Sequence, residues 1–415
     1  QLPDALALVN PNLPGNGFPS KALAGVGVIF YVLLGLRGRL RDAGWFVQRG
    51  IAEPNMADYL DLVALGTVAD VVPLDHNNRV LVHQGLQRIR GGRCRPGITA
   101  LLHIAGRSPA RAQAADLGFA VGPRVNAAGR IDDMTLGIEC LLASDPQQAA
   151  ERAAVLDQLN RERRAIENEM KQQAEAMLRD WAPDDATGLP WGLCLYRADW
   201  HQGVIGILAS RIKERCHRPV IAFAAGGDGN LKGSARSIPG LHIRDALDEV
   251  AARHPDLLNK FGGHAMAAGM TIRAEAFDAF AQGFDEVVRR HLQPADLQAV
   301  VHSDGAVSAM ALSLDTARII RDGGPWGQGF PEPLFDDRFE VLSSRIVGER
   351  HWKLVVRPLT GDEAIDAIAF NAVDDIPVMP GIIRAAYRLD ENEWQGRVSL
   401  QLRLEYLEAA EVGDE

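Results

Sequence analysis

Residues 145–181, DPQQAAERAAVLDQLNRERRAIENEMKQQAEAMLRDW, decide how the chain is divided. Asp145 can cap a helix, and Pro146 suits its first position. Leu156, Leu159, Ile166, Met170 and Met177 recur at helical period, and charges fill the positions between them. The pattern runs unbroken to APDDATGLP (182–190), which has turn chemistry. About 37 residues at ~1.5 Å each reach roughly 55 Å. A helix that long is expected to join two domains.

The two sides of this helix differ in texture. Upstream, Leu6 to Val9 reads as a short strand before a loop rich in Pro, Asn and Gly. Helices are expected from Ala22, through MADYLDLVALG (56–66), and from Arg79 to Ile89. Downstream, 190–292 alternates strand and helix: WGLCLY, GVIGILASRIKERC, RPVIAFAA, NLKGSARSI, IRDALDEVAAR, AAGMTI and AFDAFAQGFDEVVRRHL. That order predicts an α/β domain. After Gln293-Pro294 come five short strand candidates, FEVLSSRIVG, WKLVVRPL, AIDAIAFNA, IIRAAYRL and RVSLQLRLEYL. A small barrel, an OB-fold among the options, and a β-sandwich both fit that count.

The chain has 415 residues, 47% hydrophobic and 24% charged, enough for two to four domains. Its four cysteines lie at least 22 residues apart, which excludes a CxxC zinc site and suits a reducing, cytoplasmic setting. The longest apolar run, residues 22–36, is 15 residues long. A bilayer span needs ~20, so a buried helix is expected and no membrane association. The first residue is Gln1, which suggests a processed or partial chain. Net charge is −10, but unevenly spread: residues 79–130 hold nine Arg and one acid, 197–244 eight Lys/Arg and three acids, and 361–415 thirteen acids and four Arg. Local anion binding is compatible with that distribution.

ALGTVADVVPLDHNNR (64–79) offers two acids for chemistry. Asp70 stands alone in an apolar run. Burying it would require an Arg, a backbone cap or a metal. Asp75-His76 resembles a ligand pair, yet LDHNN has the composition of an exposed turn. Four further stretches combine small residues with donors suited to phosphate. PRVNAAGR (123–130) carries Arg124, Asn126 and Arg130. DWHQGVIGI (199–207) places His201 and Gln202 at a helix start. KGSARS (232–237) brings Lys232, Ser234 and Arg236, and FGGHAMAAGM (261–270) sets His264 behind Gly262 and Gly263. Together they indicate a phosphate-bearing ligand, and the absence of GxxxxGK[ST] disfavours a P-loop.

These stretches, with LVNPNLPGNGFPSKALAGVGV and GPWGQGFPEPLF, resemble in order the RecJ-type single-strand-specific exonucleases of the DHH/DHHA1 phosphoesterase superfamily. The resemblance implies a multidomain α/β architecture. Residues 1–144 would be the C-terminal part of a DHH catalytic domain, 145–189 a connecting helix and linker, 190–293 a DHHA1 domain and 294–415 a DNA-binding OB-fold. It implies 5′→3′ hydrolysis of single-stranded DNA in repair and recombination, with two Mn²⁺ or Mg²⁺ ions. Asp70 would be the catalytic, metal-ligating carboxylate. Arg124 or Arg130, Asn126, His201, Gln202, Ser234, Arg236, Gly262, Gly263 and His264 would line the DNA and its 5′ phosphate. Trp326, Trp352 and Trp394 are stacking candidates. The family's acidic and DHH motifs are absent here, so the other metal ligands would lie upstream and this chain would be catalytically incomplete. Partners implied are single-stranded DNA, a single-strand-binding protein and a helicase, with a monomeric enzyme. A phosphodiesterase for oligonucleotides or cyclic dinucleotides, and a non-catalytic single-strand-binding fragment, remain alternatives.

Overall fold

The computed structural model describes residues 4–181 and 188–410, so most of the expected 182–190 turn lies outside them. The chain forms two compact units, one from Pro123 to Val300, the other uniting residues up to Gly122 with those from Val301 onward.

In the first unit, the long helix spans Pro146–Trp181. Asp145 caps it as expected, its carboxylate accepting from the Gln148 N–H at 2.9 Å. The buried stripe, however, has a different phase from the one the apolar residues suggest. It runs Ala149, Ala153, Leu156, Asp157, Asn160, Arg163, Glu167, Met170, Ala174 and Leu178. Its middle turns are polar, and Leu159 and Ile166 are only half-buried.

Five strands follow: β1 (Leu193–Tyr196), β2 (Val220–Gly227), β3 (Asn230–Arg236), β4 (Lys260–Gly263) and β5 (Ala267–Arg273). They form one sheet in the order β1-β2-β3-β5-β4. Helices Ile243–Arg253 and Phe277–His291 cover one face over Phe223, Leu231, Met270 and Ile272, with Phe280 and Phe284 of the second helix packed into the same core. On the other face, helix Ile205–Cys216 and the long helix bury Leu193, Leu195, Val220 and Ala222, which belong to β1 and β2 alone. The β3-β5-β4 half of that face stays open.

In the second unit, helices Leu60–Ala69 and His76–Arg90 pack at close range. A Cβ on Gly85 would lie 2.2 Å from the Leu60 carbonyl oxygen and 2.4 Å from the Ala64 Cβ. Gly85→Ala should therefore destabilise by about 2–3 kcal/mol. The clash outweighs the ~1 kcal/mol that alanine gains in helix propensity. A lowered urea midpoint at unchanged slope is the expected readout. Asp61 is fully buried against Arg95 at 2.6 Å. The strand expected at Leu6–Val9 does not form: these residues pair with no ladder and are exposed.

Strands β6 (Phe335–Val347), β7 (His351–Pro358), β8 (Ile365–Ala369), β9 (Ile382–Trp394) and β10 (Arg397–Ala409) close into a barrel ordered β10-β8-β7-β6-β9. Only β8 and β10 pair in parallel. This closed five-strand connectivity is that of an OB-fold, so the sandwich is set aside. Trp352 is a core residue whose indole N–H donates to the Ile376 carbonyl at 2.9 Å. Trp326 stacks on Phe330 at 4.9 Å and donates to Ile320. The Trp394 side chain lies outside the described residues.

Candidate nucleic-acid interface

Alternation along β3 turns Leu231, Gly233 and Ala235 into the core and Lys232, Ser234 and Arg236 onto the open half-face. The Arg236 guanidinium donates to Ser234 Oγ at 3.2 Å and to the Ala235 carbonyl at 2.8 Å. Helix Ile205–Cys216 begins directly against this pair. A Cβ on Gly206 would sit 2.9 Å from both Ser234 Oγ and Arg236 Nη2. Its N-cap residue, Val204, makes no side-chain cap, so the positive end of the helix dipole faces the same place.

Arg130 ends the helix Gly122–Ile131 and reaches the same corner. Its Nη1 donates to the Gly203 carbonyl at 3.1 Å. A Cβ on Gly203 would come within 2.1 Å of the Arg130 carbonyl, so only glycine permits this approach. Burial holds the Arg236 guanidinium below its usual basicity, and neighbouring Arg130 adds to that. Arg130 is lowered in turn by desolvation and by Arg163, against the opposing Glu167. Arg236 is half-buried and Arg130 beside it is exposed, and the repulsion between the two cations is what a bound anion would relieve.

The other sequence candidates divide. Arg124 is buried and binds Asp157 at 2.9 Å. Asn126 is exposed one turn before Arg130. His201 accepts the Gly203 N–H on Nδ1 at 3.1 Å, which leaves Nε2 to carry the proton of the neutral ring. Gln202 is engaged with the Ala225 carbonyl at 2.6 Å. His264 is exposed and extends the Arg236–Ala267 pair into a row, its backbone N–H donating to Ala267 at 2.8 Å. Gly262 pairs with Gly269, which pairs with Ser234, so the strip of sheet beside Ser234 is bare backbone. Gly263 faces away, where a Cβ would meet the Ala267 carbonyl at 2.4 Å.

Sequence reasoning missed the support behind this corner. Glu167 on the long helix bridges Arg163 at 2.7 Å and Arg211 at 3.0 Å, and Arg163 also contacts Asn160. These polar residues continue the three-and-four spacing of the apolar stripe, which was the available signal. The arginine-rich window 79–130 is also mostly structural. Arg88, Arg95, Arg107, Arg111 and Arg124 pair with Asp58, Asp61, Asp116, Glu393 and Asp157, and Arg79 stacks 3.6 Å over Phe330. In the second unit, a cleft of about 580 Å³ has exposed Phe119 on its wall. Its four arginines face five acids, so its lining is slightly negative and offers a polyanion no attraction.

Asp70 is exposed, not buried in an apolar run. It is the C-cap of helix Leu60–Ala69, and Val71 after it is left-handed at φ 56°. Among the described residues it has no cationic partner. A carboxylate at the negative end of a helix is unfavourable unless a cation joins it. Asp75 is a helix N-cap: it accepts from the Asn78 N–H at 2.9 Å and from Ser20 Oγ at 2.6 Å. Among the described residues no three His, Cys, Asp or Glu side chains gather to hold a metal, so these residues do not form a metal centre by themselves.

A sheet with an open basic half-face in one unit and a closed five-strand barrel in the other define the class: a DHHA1-type protein that carries an OB domain. Residues 192–290 match the DHHA1 domain model and 303–406 the RecJ OB domain model. The chain is 56% identical over 409 residues to the single-stranded-DNA-specific exonuclease RecJ of Dickeya dadantii, covering 98% of this chain and 71% of that protein. It is 54% identical over 405 residues to RecJ of Escherichia coli, covering 97% and 70%. The crystal structure of Thermus thermophilus RecJ with Mg²⁺ aligns at TM-score 0.74 and 30% identity, over 95% of this chain and 57% of that one. The chain belongs to the RecJ family.

Proposed function

We propose that this protein degrades single-stranded DNA from its 5′ end by metal-dependent phosphodiester hydrolysis. The observation that carries this is 56% identity across 98% of the chain to a single-stranded-DNA-specific exonuclease. Solved relatives are described with Mg²⁺ and with Mn²⁺. In this reading Asp70 contributes one carboxylate to such a metal centre, and its other ligands come from outside the described residues. Arg236, Ser234 and Arg130 hold the 5′ phosphate, with Arg130 favoured over Arg124 because Asp157 already occupies Arg124. Asn126, His201, Gln202, His264 and the Gly262–Gly263 backbone border the strand. The glycine floor lets the sugar-phosphate chain lie against the sheet. We propose further that the protein works as a monomer in the cytoplasm beside a single-strand-binding protein and a helicase. No helix among the described residues is long and apolar enough to cross a membrane.

The test is release of labelled nucleotide from 5′-labelled single strands, duplex DNA and a cyclic dinucleotide with Mn²⁺, using this chain and an upstream-extended version. Release from single strands by the extended version is expected. Cleavage of the cyclic dinucleotide but not of long strands would refute the assignment.

A further inference from the structure

The open half-face carries one row that the phosphate clamp does not use. Along β3, Lys232 lies two residues from Ser234 and on the same side. It pairs across the sheet with Thr271, and Thr271 pairs with Lys260. The face is therefore three parallel rows: Arg236–Ala267–His264, Ser234–Gly269–Gly262 and Lys232–Thr271–Lys260. None of these residues is acidic, in a chain of net charge −10.

The chain has only six lysines, and two of them flank this one threonine. Both are exposed, and among the described residues neither has an acidic partner. The Lys232 stem rests on the β2–β3 turn, where a Cβ on Gly226 would come within 3.1 Å of its Cγ. Two strand spacings of ~4.8 Å separate the lysine backbones, so their ammonium groups can converge above Thr271. Like charges without an acid between them repel, and an anion held by both ammoniums and the threonine hydroxyl removes that penalty. The row lies two residues from Ser234, about 6.7 Å along the strand. Between them, Gly262 and Gly269 leave the path unobstructed: a Cβ on Gly262 would meet nothing within 4 Å.

We propose that Lys232, Thr271 and Lys260 form a second phosphate seat, which holds an internucleotide phosphate beyond the scissile one in a strand whose end is clamped by Ser234 and Arg236. This rests on the function proposed above. It makes the sheet a two-phosphate track, so a strand is gripped at two points and a mononucleotide at one.

The test compares the wild-type chain, Lys232→Gln/Lys260→Gln and Arg236→Met in metal-free buffer by fluorescence anisotropy. The probes are a 5′-phosphorylated oligo-dT decamer and thymidine 5′-monophosphate. The double lysine variant should bind the decamer roughly tenfold more weakly, with a log K against log salt slope shallower by about 0.7, the value of one single-strand phosphate. Its affinity for the mononucleotide should be unchanged, and Lys232→Arg/Lys260→Arg should restore the slope. An unchanged decamer slope while Arg236→Met still loses binding overturns the second seat alone. Equal loss on both probes also overturns it, because the lysines would then act as a diffuse field. Unchanged decamer binding by Arg236→Met removes the clamp and the second seat with it.

Discussion

Arg236→Met should weaken binding of a 5′-phosphorylated single strand by roughly 10- to 100-fold, the ~1.5–3 kcal/mol of a charge-assisted hydrogen bond. It should also make the unliganded protein more stable, by about 1 kcal/mol. Both effects have one cause. The guanidinium is half-buried, its basicity lowered by burial and by Arg130, and the groups it contacts are a hydroxyl and a carbonyl, not a carboxylate. The cation is held at an energetic disadvantage that only an anion relieves. Arg236→Lys should fall between the two, because it keeps the charge and loses the planar fork. Inorganic phosphate should raise the melting temperature of the wild type by mass action and leave that of Arg236→Met unmoved. Gly206→Ala belongs to the same series. Its methyl would press on Ser234 Oγ and Arg236 Nη2 and weaken binding without removing a charge. Equal binding by wild type and Arg236→Met would refute the clamp.

What the sequence made legible was local. Helix Ile243–Arg253 lies where IRDALDEVAAR was read, because its apolar residues keep helical period and meet one core. The β7 alternation of buried and half-buried residues is that of a one-sided barrel strand. Closure of the barrel was not legible, since the parallel β8–β10 pair joins segments about 35 residues apart and strand composition is silent about partners. Strand β4 escaped because KFGG has the low strand propensity that two glycines confer. Gly262 leaves the open face bare, and Gly263 permits the close approach of the Ala267 carbonyl on the other side. The charged middle of the long helix read as solvent-facing because Asp157, Arg163 and Glu167 are charged. Their burial depends on Arg124 and Arg211, which lie 33 and 44 residues away. The same non-local pairing explains why the arginine window looked like a binding tract: all of its paired carboxylates but Asp116 come from elsewhere in the chain.

The two acids of 70–75 should separate cleanly under substitution. In an upstream-extended version, Asp70→Ala should reduce cleavage by at least about 10³-fold, the several kcal/mol that a catalytic cation supplies. Single-strand affinity should stay within about twofold, because the clamp residues Ser234, Arg236 and Arg130 belong to the other compact unit. Stability should hold or rise by about 0.3–1 kcal/mol, since the change removes a negative charge from a helix C-terminus. Asp75→Ala should do the reverse. Losing the cap on helix His76–Arg90 costs about 1 kcal/mol, and Ser20 Oγ loses its acceptor, while cleavage per folded molecule is unchanged. Thermal unfolding and turnover measured on the same samples distinguish the pair. An Asp70→Ala protein that cleaves normally would show that the carboxylate holds no metal. Its exposure, its lack of a cationic partner and the left-handed Val71 beside it would then need another cause. The expected outcome follows from the contrast between the two acids. The fold supplies Asp75 with two hydrogen-bond donors and supplies Asp70 with none among those described, so Asp75 is committed to structure and Asp70 remains available to a cation.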